Sequence, residues 1–258
     1  MLFGLEDKIE LFKRLVKDNN LRQSYLFFGE PQIGKFTFAA SLVNFLETGK
    51  FVPPSATKPL LDAKFFTPDE SGSIGIDAVR DLKKELYQRP VASIRRSAVF
   101  DSAESLTPEA RNALLKIIEE PPQFSLIIFI AVEPSVFPPT LASRFTKVYF
   151  PRFGQKSIEK YLKEKLKIDS NQAVLTARQS FGRIGRAIQL AQSSSLETNS
   201  DPESLLKYLE ETILSLRKNL LKNSSKLSWL LEREELVKRH NLNPKLQYRA
   251  AQQVMNRK

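Results

Sequence analysis

Alternating strand-like and helix-like segments mark residues 1–152 of this 258-residue chain as an α/β domain built on a parallel sheet. The segment FSLIIFIAV (124–132) is apolar almost throughout, as expected of a parallel strand covered on both faces. After Pro151 no strand-like run recurs. The remainder is therefore expected to be helical: a small three-helix domain over 153–194 and a longer, charged helical domain over 195–258.

In chain order, Leu5, Ile9, Phe12, Leu15 and Val16 recur at helical spacing and predict an amphipathic helix over 5–19. SYLFFG (24–29) is a short apolar run ending in glycine, the signature of a buried strand, and KFTFAASLVNFLET (35–48) follows as a helix. FVPPSATKPLLDAKFFTPDESGS (51–73) reads as a Pro-rich connector. IGIDAVRDLKKELYQRP (74–90) is a helix with Pro90 at its end. RRSAVFDSAESL (95–106) is a second strand running into an acidic turn. In TPEARNALLKIIEEPP (107–122), Thr107 can cap a helix, Pro108 suits its first turn and Pro121 stops it. FSLIIFIAV is the third strand, and TLASRFTKVYF (140–150) leads into the last. Beyond the helical stretch 154–192, SSSLETNSDPES (193–204) is a polar linker in which Ser200 or Asp201 can cap the next helix. Farther on, Trp229 lies on an apolar stripe with Leu227, Leu230 and Leu231, a pattern that serves helix packing more often than ligand binding. No fixed-period repeat is visible.

Composition excludes several classes of function. With no cysteine there is neither a disulfide framework nor a thiolate metal site, and with one histidine, His240 in a polar surface-like stretch, there is no histidine cluster for zinc. No segment has the roughly 18 consecutive apolar residues of a membrane span. The N-terminal 20 residues carry charge throughout, unlike a signal peptide, so a cytoplasmic protein is expected. Lys and Arg number 40 against 29 Asp and Glu, a formal charge of +11. That balance suits contact with nucleic-acid phosphates, but the excess is spread along the chain and forms no recognised readout module.

The strongest motif is LFFGEPQIGKFTF (26–38). Gly29, Gly34 and Lys35 match G-x-x-x-x-G-K, the phosphate-binding loop, in the required context of strand, loop and helix. The next residue of that pattern is a magnesium-binding Ser or Thr, and here it is Phe36. Thr37 is adjacent, but one step along a helix turns a side chain by about 100°. Backbone N–H groups at the helix N-terminus and the Lys35 ammonium still favour an anion, so a sulfate or phosphate, or weakly held nucleotide, is expected rather than tight ATP. The second strand ends at Asp101, where a magnesium-holding carboxylate belongs. A water-positioning glutamate often follows directly, but Ser102 stands there, and Glu104, two residues on, is expected to fall short of the same place. The third strand ends in Ala131 and Val132 rather than a polar group able to sense a γ-phosphate, with Glu133 past its end.

The run AVFDSAESLTPEARNALLKIIEEPPQFSLIIFIAVEPSVFPPTLASRF (98–145) resembles the AAA+ module of bacterial DNA polymerase III clamp-loader subunits. NALLKIIEEPP (112–122) is close to that family's NALLKTLEEPP, and TLASRF is similar to its Ser-Arg-Cys motif with Phe145 in place of cysteine. GRIGRAIQLAQ (182–192) resembles the start of its second-sensor helix, with Gly185 at the usual arginine position and Arg186 one place on. NLNPKL (241–246) resembles the end of its collar domain. The resemblance implies a RecA-like AAA+ domain over 1–152, a three-helix lid over 153–194 and a collar-like piece over 195–258. The active gamma/tau branch needs a full catalytic kit. Losses at Phe36, Ser102, Val132 and Gly185, and the absence of that branch's four-cysteine zinc module, match the delta-prime branch. The implied role is a subunit without ATPase activity of its own or a required cofactor, working with gamma/tau and delta subunits on a sliding clamp and primed DNA. The resemblance also makes Arg144 an arginine finger reaching a neighbour's nucleotide, against the plainer reading of a surface salt bridge. An active ATPase with a non-standard site, and a basic nucleic-acid adaptor outside the clamp loader, remain alternatives.

Overall fold

The computed structural model describes residues 2–193 except 56, then 202–216, 220–239, 247, 250, 251, 254 and 255. His240, the linker caps Ser200 and Asp201, and NLNPKL lie outside the described residues. The chain forms two compact units, one of residues 1–157 with 182–185, the other of 158–181 with 186–258.

In the first unit the order is α1 (Glu6–Lys17), β1 (Ser24–Phe28), α2 (Lys35–Thr48), β2 (Ala63–Phe66), α3 (Ile76–Leu86), β3 (Arg96–Phe100), α4 (Pro108–Glu119), β4 (Ser125–Ala131), α5 (Pro139–Ala142) and β5 (Thr146–Tyr149). All five strands are parallel, in the order β2-β3-β4-β1-β5. The expected connector over 51–73 is corrected here, because it contains β2. Four residues with a single ladder to β3, inside a proline-rich stretch, leave almost no periodic signal. The Thr107 hydroxyl caps α4 by accepting from the Ala110 N–H at 3.2 Å.

Strand side chains alternate between faces, and the core divides accordingly. Leu26, Ala98, Phe100, Ile127 and Phe129 face one way and pack with α3 and α4. There Phe66, Phe100 and Phe129 stack across three strands, with centroid separations of 4.5 and 4.8 Å. Tyr25, Phe27, Val99, Leu126 and Ile128 face the other way, against α1 and α2.

One buried charge organises the end of the sheet where the strands begin. The Asp62 side chain is fully buried and accepts from the backbone N–H groups of Val91, Ala92 and Ser93 at 2.6–2.9 Å. It also pairs with Arg96, whose guanidinium donates to the Leu61 and Glu85 carbonyls as well. Burial alone would raise the Asp62 pKa, but those three N–H donors and Arg96 together hold it below the ordinary carboxylate value.

The second unit takes in the rest of α6 (Gln155–Leu166), α7 (Ser170–Gln179), most of α8 (Ile184–Ser193), α9 (Pro202–Leu216) and α10 (Leu220–Arg239). Leu205, Leu209 and Ile213 of α9 pack with Leu227, Leu230 and Val237 of α10. The Trp229 stripe is thus mainly packing surface. Trp229 is half-buried under the Arg233 guanidinium, 4.8 Å from the ring centroid, and Leu231 stays exposed.

Asp62→Asn removes the charge but keeps the shape, leaving the buried Arg96 with only the longer, half-exposed pairing to Glu85 at 3.5 Å. Chemical denaturation is expected to show a loss of about 3 kcal/mol, the lower range for breaking a buried pair. Because the folded pKa lies below the unfolded one, near 3.9, this stabilisation is present above about pH 4 and is lost as pH falls through the folded value. Native stability should therefore fall more steeply than that of the variant on acidification below pH 4.

Candidate nucleotide-binding loop and arginine site

At the end of β1 the chain must turn sharply into α2. Gly29 sits at φ +140°, and a Cβ there would lie 2.3 Å from the Phe150 carbonyl oxygen, so only glycine fits. Its N–H donates to the Val132 carbonyl at 3.0 Å, tying the loop to the end of β4. Gly34, at φ +93°, caps α2. Lys35 opens that helix and is 6% exposed. Its ammonium folds back on the loop and donates to the Gly29 carbonyl and, at 2.7 Å, to that of Glu30. Burial lowers the Lys35 pKa, and the nearby carboxylates of Glu104, Asp101 and Glu30 oppose that shift.

Asp101 follows β3 and donates its N–H to the Phe66 carbonyl at 2.9 Å. Burial raises the pKa of its carboxyl, and the Lys35 ammonium partly offsets this. The expectation for Glu104 is corrected: it does reach this site. Ser102 adopts φ +67°, and a single 3₁₀ turn over 103–105 swings Glu104 back toward the end of the sheet. Its carboxylate accepts the Val132 N–H and lies close enough to Lys35 and Asp101 to shift both pKa values. One of its two oxygens is thus tethered to the backbone.

The other expected departures take physical form. Phe36 turns its ring to Phe65 of β2, with centroids 5.7 Å apart, where a hydroxyl would otherwise face the loop. Thr37 is half-buried one step farther along α2. Ala131 is buried in the core and Val132 is exposed, so the end of β4 offers no polar side chain. Gly185 donates its N–H to the Gln32 carbonyl at 2.7 Å, and a Cβ there would meet that same oxygen at 2.9 Å. Two further groups escape sequence reading. Arg152, just past β5, forms an ion pair with Glu30 of the loop, and Phe153 donates its N–H to Gly182 at 2.9 Å. The loop is laced to its surroundings on several sides.

Gly29, Gly34, Lys35, Thr37 and Asp101 thus gather where the strands end. Arg144 does not join them. It precedes β5, whose first residue Thr146 pairs with Tyr25 near the start of β1. The parallel strands place it at the opposite end of the sheet, roughly 15 Å away along a five-residue strand. Next to it, Phe145 is buried against Phe129 and Phe137 and fixes the chain, while the Arg144 side chain is 45% exposed and donates to Glu119 at 2.8 Å.

The sequence profile of the family described as DNA polymerase III, delta subunit, matches residues 4–154. The chain belongs to this family. It is thus a member of the DNA polymerase III clamp-loader proteins, with their RecA-like AAA+ fold. Over 203 residues it is 27% identical to the DNA polymerase III subunit gamma/tau of Mycoplasma pneumoniae, covering 74% of this chain and 30% of that protein. Over 135 residues it is 31% identical to the same subunit of Mycobacterium tuberculosis, covering 48% of this chain and 23% of that one. The chain spans about a third or less of these curated relatives. Among solved structures, a gamma subunit-related protein of Thermotoga maritima superposes with a TM-score of 0.55 at 20% identity, over 93% of this chain and 96% of that one. The RuvB Holliday junction branch migration motor of the same organism gives 0.55 at 14%, over 81% and 64%. Both likenesses are of fold. Among the described residues no helix is long and apolar enough to cross a membrane.

Gly185→Arg, which writes the family's sensor residue back into the chain, should not restore a sensor. The new Cβ collides with Gln32, and overpacking of this kind costs about 1–3 kcal/mol. A lowered thermal midpoint by circular dichroism is expected, and an unchanged midpoint would show the approach to be loose.

Proposed function

We propose that this chain is a non-hydrolytic, delta-prime-like subunit of the clamp loader. In this reading it completes a ring with gamma/tau and delta subunits and supplies Arg144 in trans while a sliding clamp is loaded on primed DNA. The observation that carries the reading is directional: Arg144 and the phosphate-type loop lie at opposite ends of one parallel sheet. Arg144 can serve a nucleotide only on another subunit. Its bond to Glu119 is an exposed ion pair, a class worth about 0.2–1 kcal/mol, so the guanidinium is released at little cost. The chain's own loop lacks a magnesium-binding hydroxyl at Phe36 and a carboxylate at Ser102. It needs no zinc or other cofactor in this role, and at most holds ATP or an anion weakly. The collar-like piece is assigned to 195–258 and the lid to 153–194.

Glu104 beside Lys35 favours one competing reading, an ATPase with a displaced carboxylate. The same assay decides between them. The isolated chain should show no ATP turnover with or without primed DNA, and Phe36→Thr should not create it. Reconstituted with gamma/tau-type and delta-type subunits, Arg144→Ala should assemble but lose DNA-stimulated hydrolysis at the site it faces, by the roughly 10³-fold or more typical of such fingers. Arg144→Lys should rescue little, because an ammonium lacks the planar fork. Unchanged hydrolysis in the complex with a destabilised monomer would make Arg144 a salt-bridge residue. Turnover by the isolated chain that is lost in Glu104→Gln would make the protein an ATPase.

A further inference from the structure

Beside β5 the surface has a feature that neither the nucleotide loop nor Arg144 uses. A groove of about 730 Å³ opens between α1 and β5. Its floor is apolar, with Leu11, Phe12, Leu15 and Val148, and Leu11 is 46% exposed. Its cations are Lys8, Arg22 and Lys147, and no carboxylate lines it. None of the three is in an ion pair among the described residues.

Among the described residues β5 is also the lateral edge of the sheet, paired with β1 alone. The Phe150 N–H points inward, to the Phe28 carbonyl at 2.8 Å. Successive residues of an extended strand direct their N–H and C=O groups to opposite sides, so those of Lys147 and Tyr149 face outward along the groove. An open edge of this kind is a template for a further strand.

We propose that this groove takes an extended segment of a partner protein by strand addition, a segment in which acidic side chains alternate with apolar ones. The Lys147 and Tyr149 backbone groups give the incoming strand its register. Its apolar side chains reach Leu11 and Val148 on the α1 face, and its carboxylates turn to the other face, where Lys147 stands in register with Leu26, while Lys8 and Arg22 add positive charge along the groove. A nucleic acid satisfies the charges but has no regular series of donors and acceptors to match the strand edge. Single strands are held on a series of stacked rings, and among the aromatic residues lining the groove Tyr149 is the one that is exposed.

The test uses the full chain and fluorescein-labelled synthetic heptapeptides read by anisotropy. A probe of alternating Asp or Glu with Val or Ile should bind, and its affinity should fall with salt. Lys147→Glu, on the surface, should weaken binding about fivefold or more without moving the thermal midpoint. The same peptide N-methylated on alternate amides keeps every side chain and should also lose at least tenfold. Failure of the acidic probe to bind at millimolar concentration would overturn the proposal. So would equal binding of a Lys-substituted or N-methylated probe, or binding of oligo-dT that Lys147→Glu abolishes while the peptide stays unbound.

Discussion

Because all five strands run in one direction, every strand begins at one end of the sheet and finishes at the other, and this directionality decides what each charged group can do. The loop after β1, the Asp101 carboxylate after β3 and the Val132 backbone after β4 converge because three strands stop together. Arg144 enters β5 from the far end and is excluded from that convergence by the same geometry. A mixed sheet could have brought Arg144 and the loop together within one chain. The parallel one separates them by the length of a strand.

The convergence then turns inward. In a loop open to ligand, the lysine ammonium and the backbone N–H groups face the space a phosphate would fill. Here the Lys35 ammonium donates to two loop carbonyls, with three carboxylates nearby. Burial is the larger influence on both Lys35 and Asp101, lowering the one pKa and raising the other, and their mutual attraction only partly opposes it. Glu104 is held by a backbone N–H, Glu30 by Arg152, and Gln32 by Gly185. Lys35, Glu104 and Glu30 thus each have a partner within the chain.

Much of this was legible in the residues. Gly34 opens α2, and Thr107 with Pro108 starts α4, because glycine at positive φ and hydroxyl capping leave local signatures. The loop, Asp101 and the missing hydroxyl at Phe36 follow from spacing alone. What was not legible depends on approach between distant segments. β2 exists because β3 offers it a ladder, not because AKFF is strongly patterned. Glu104 arrives through a serine at φ +67°, a conformation no serine advertises. Gly185 reads as a lost arginine in sequence, and only the proximity of Gln32 shows that the position has no room for one. Asp62 lies in the same proline-rich stretch as β2, and its role depends on three N–H groups about thirty residues away.

In the proposed function, this chain's own loop does no chemistry in the assembled loader, while Arg144 at the opposite end of its sheet does. The direct measurement is DNA-stimulated ATP hydrolysis by a reconstituted complex in which this chain alone carries Lys35→Met, with assembly verified by gel filtration. Methionine keeps the buried aliphatic stem and removes the ammonium. The account predicts turnover within about twofold of the native complex, too small a change to reflect a lost catalytic group. A fall of tenfold or more in an intact complex would mean that the loop binds and works on nucleotide, and would contradict it.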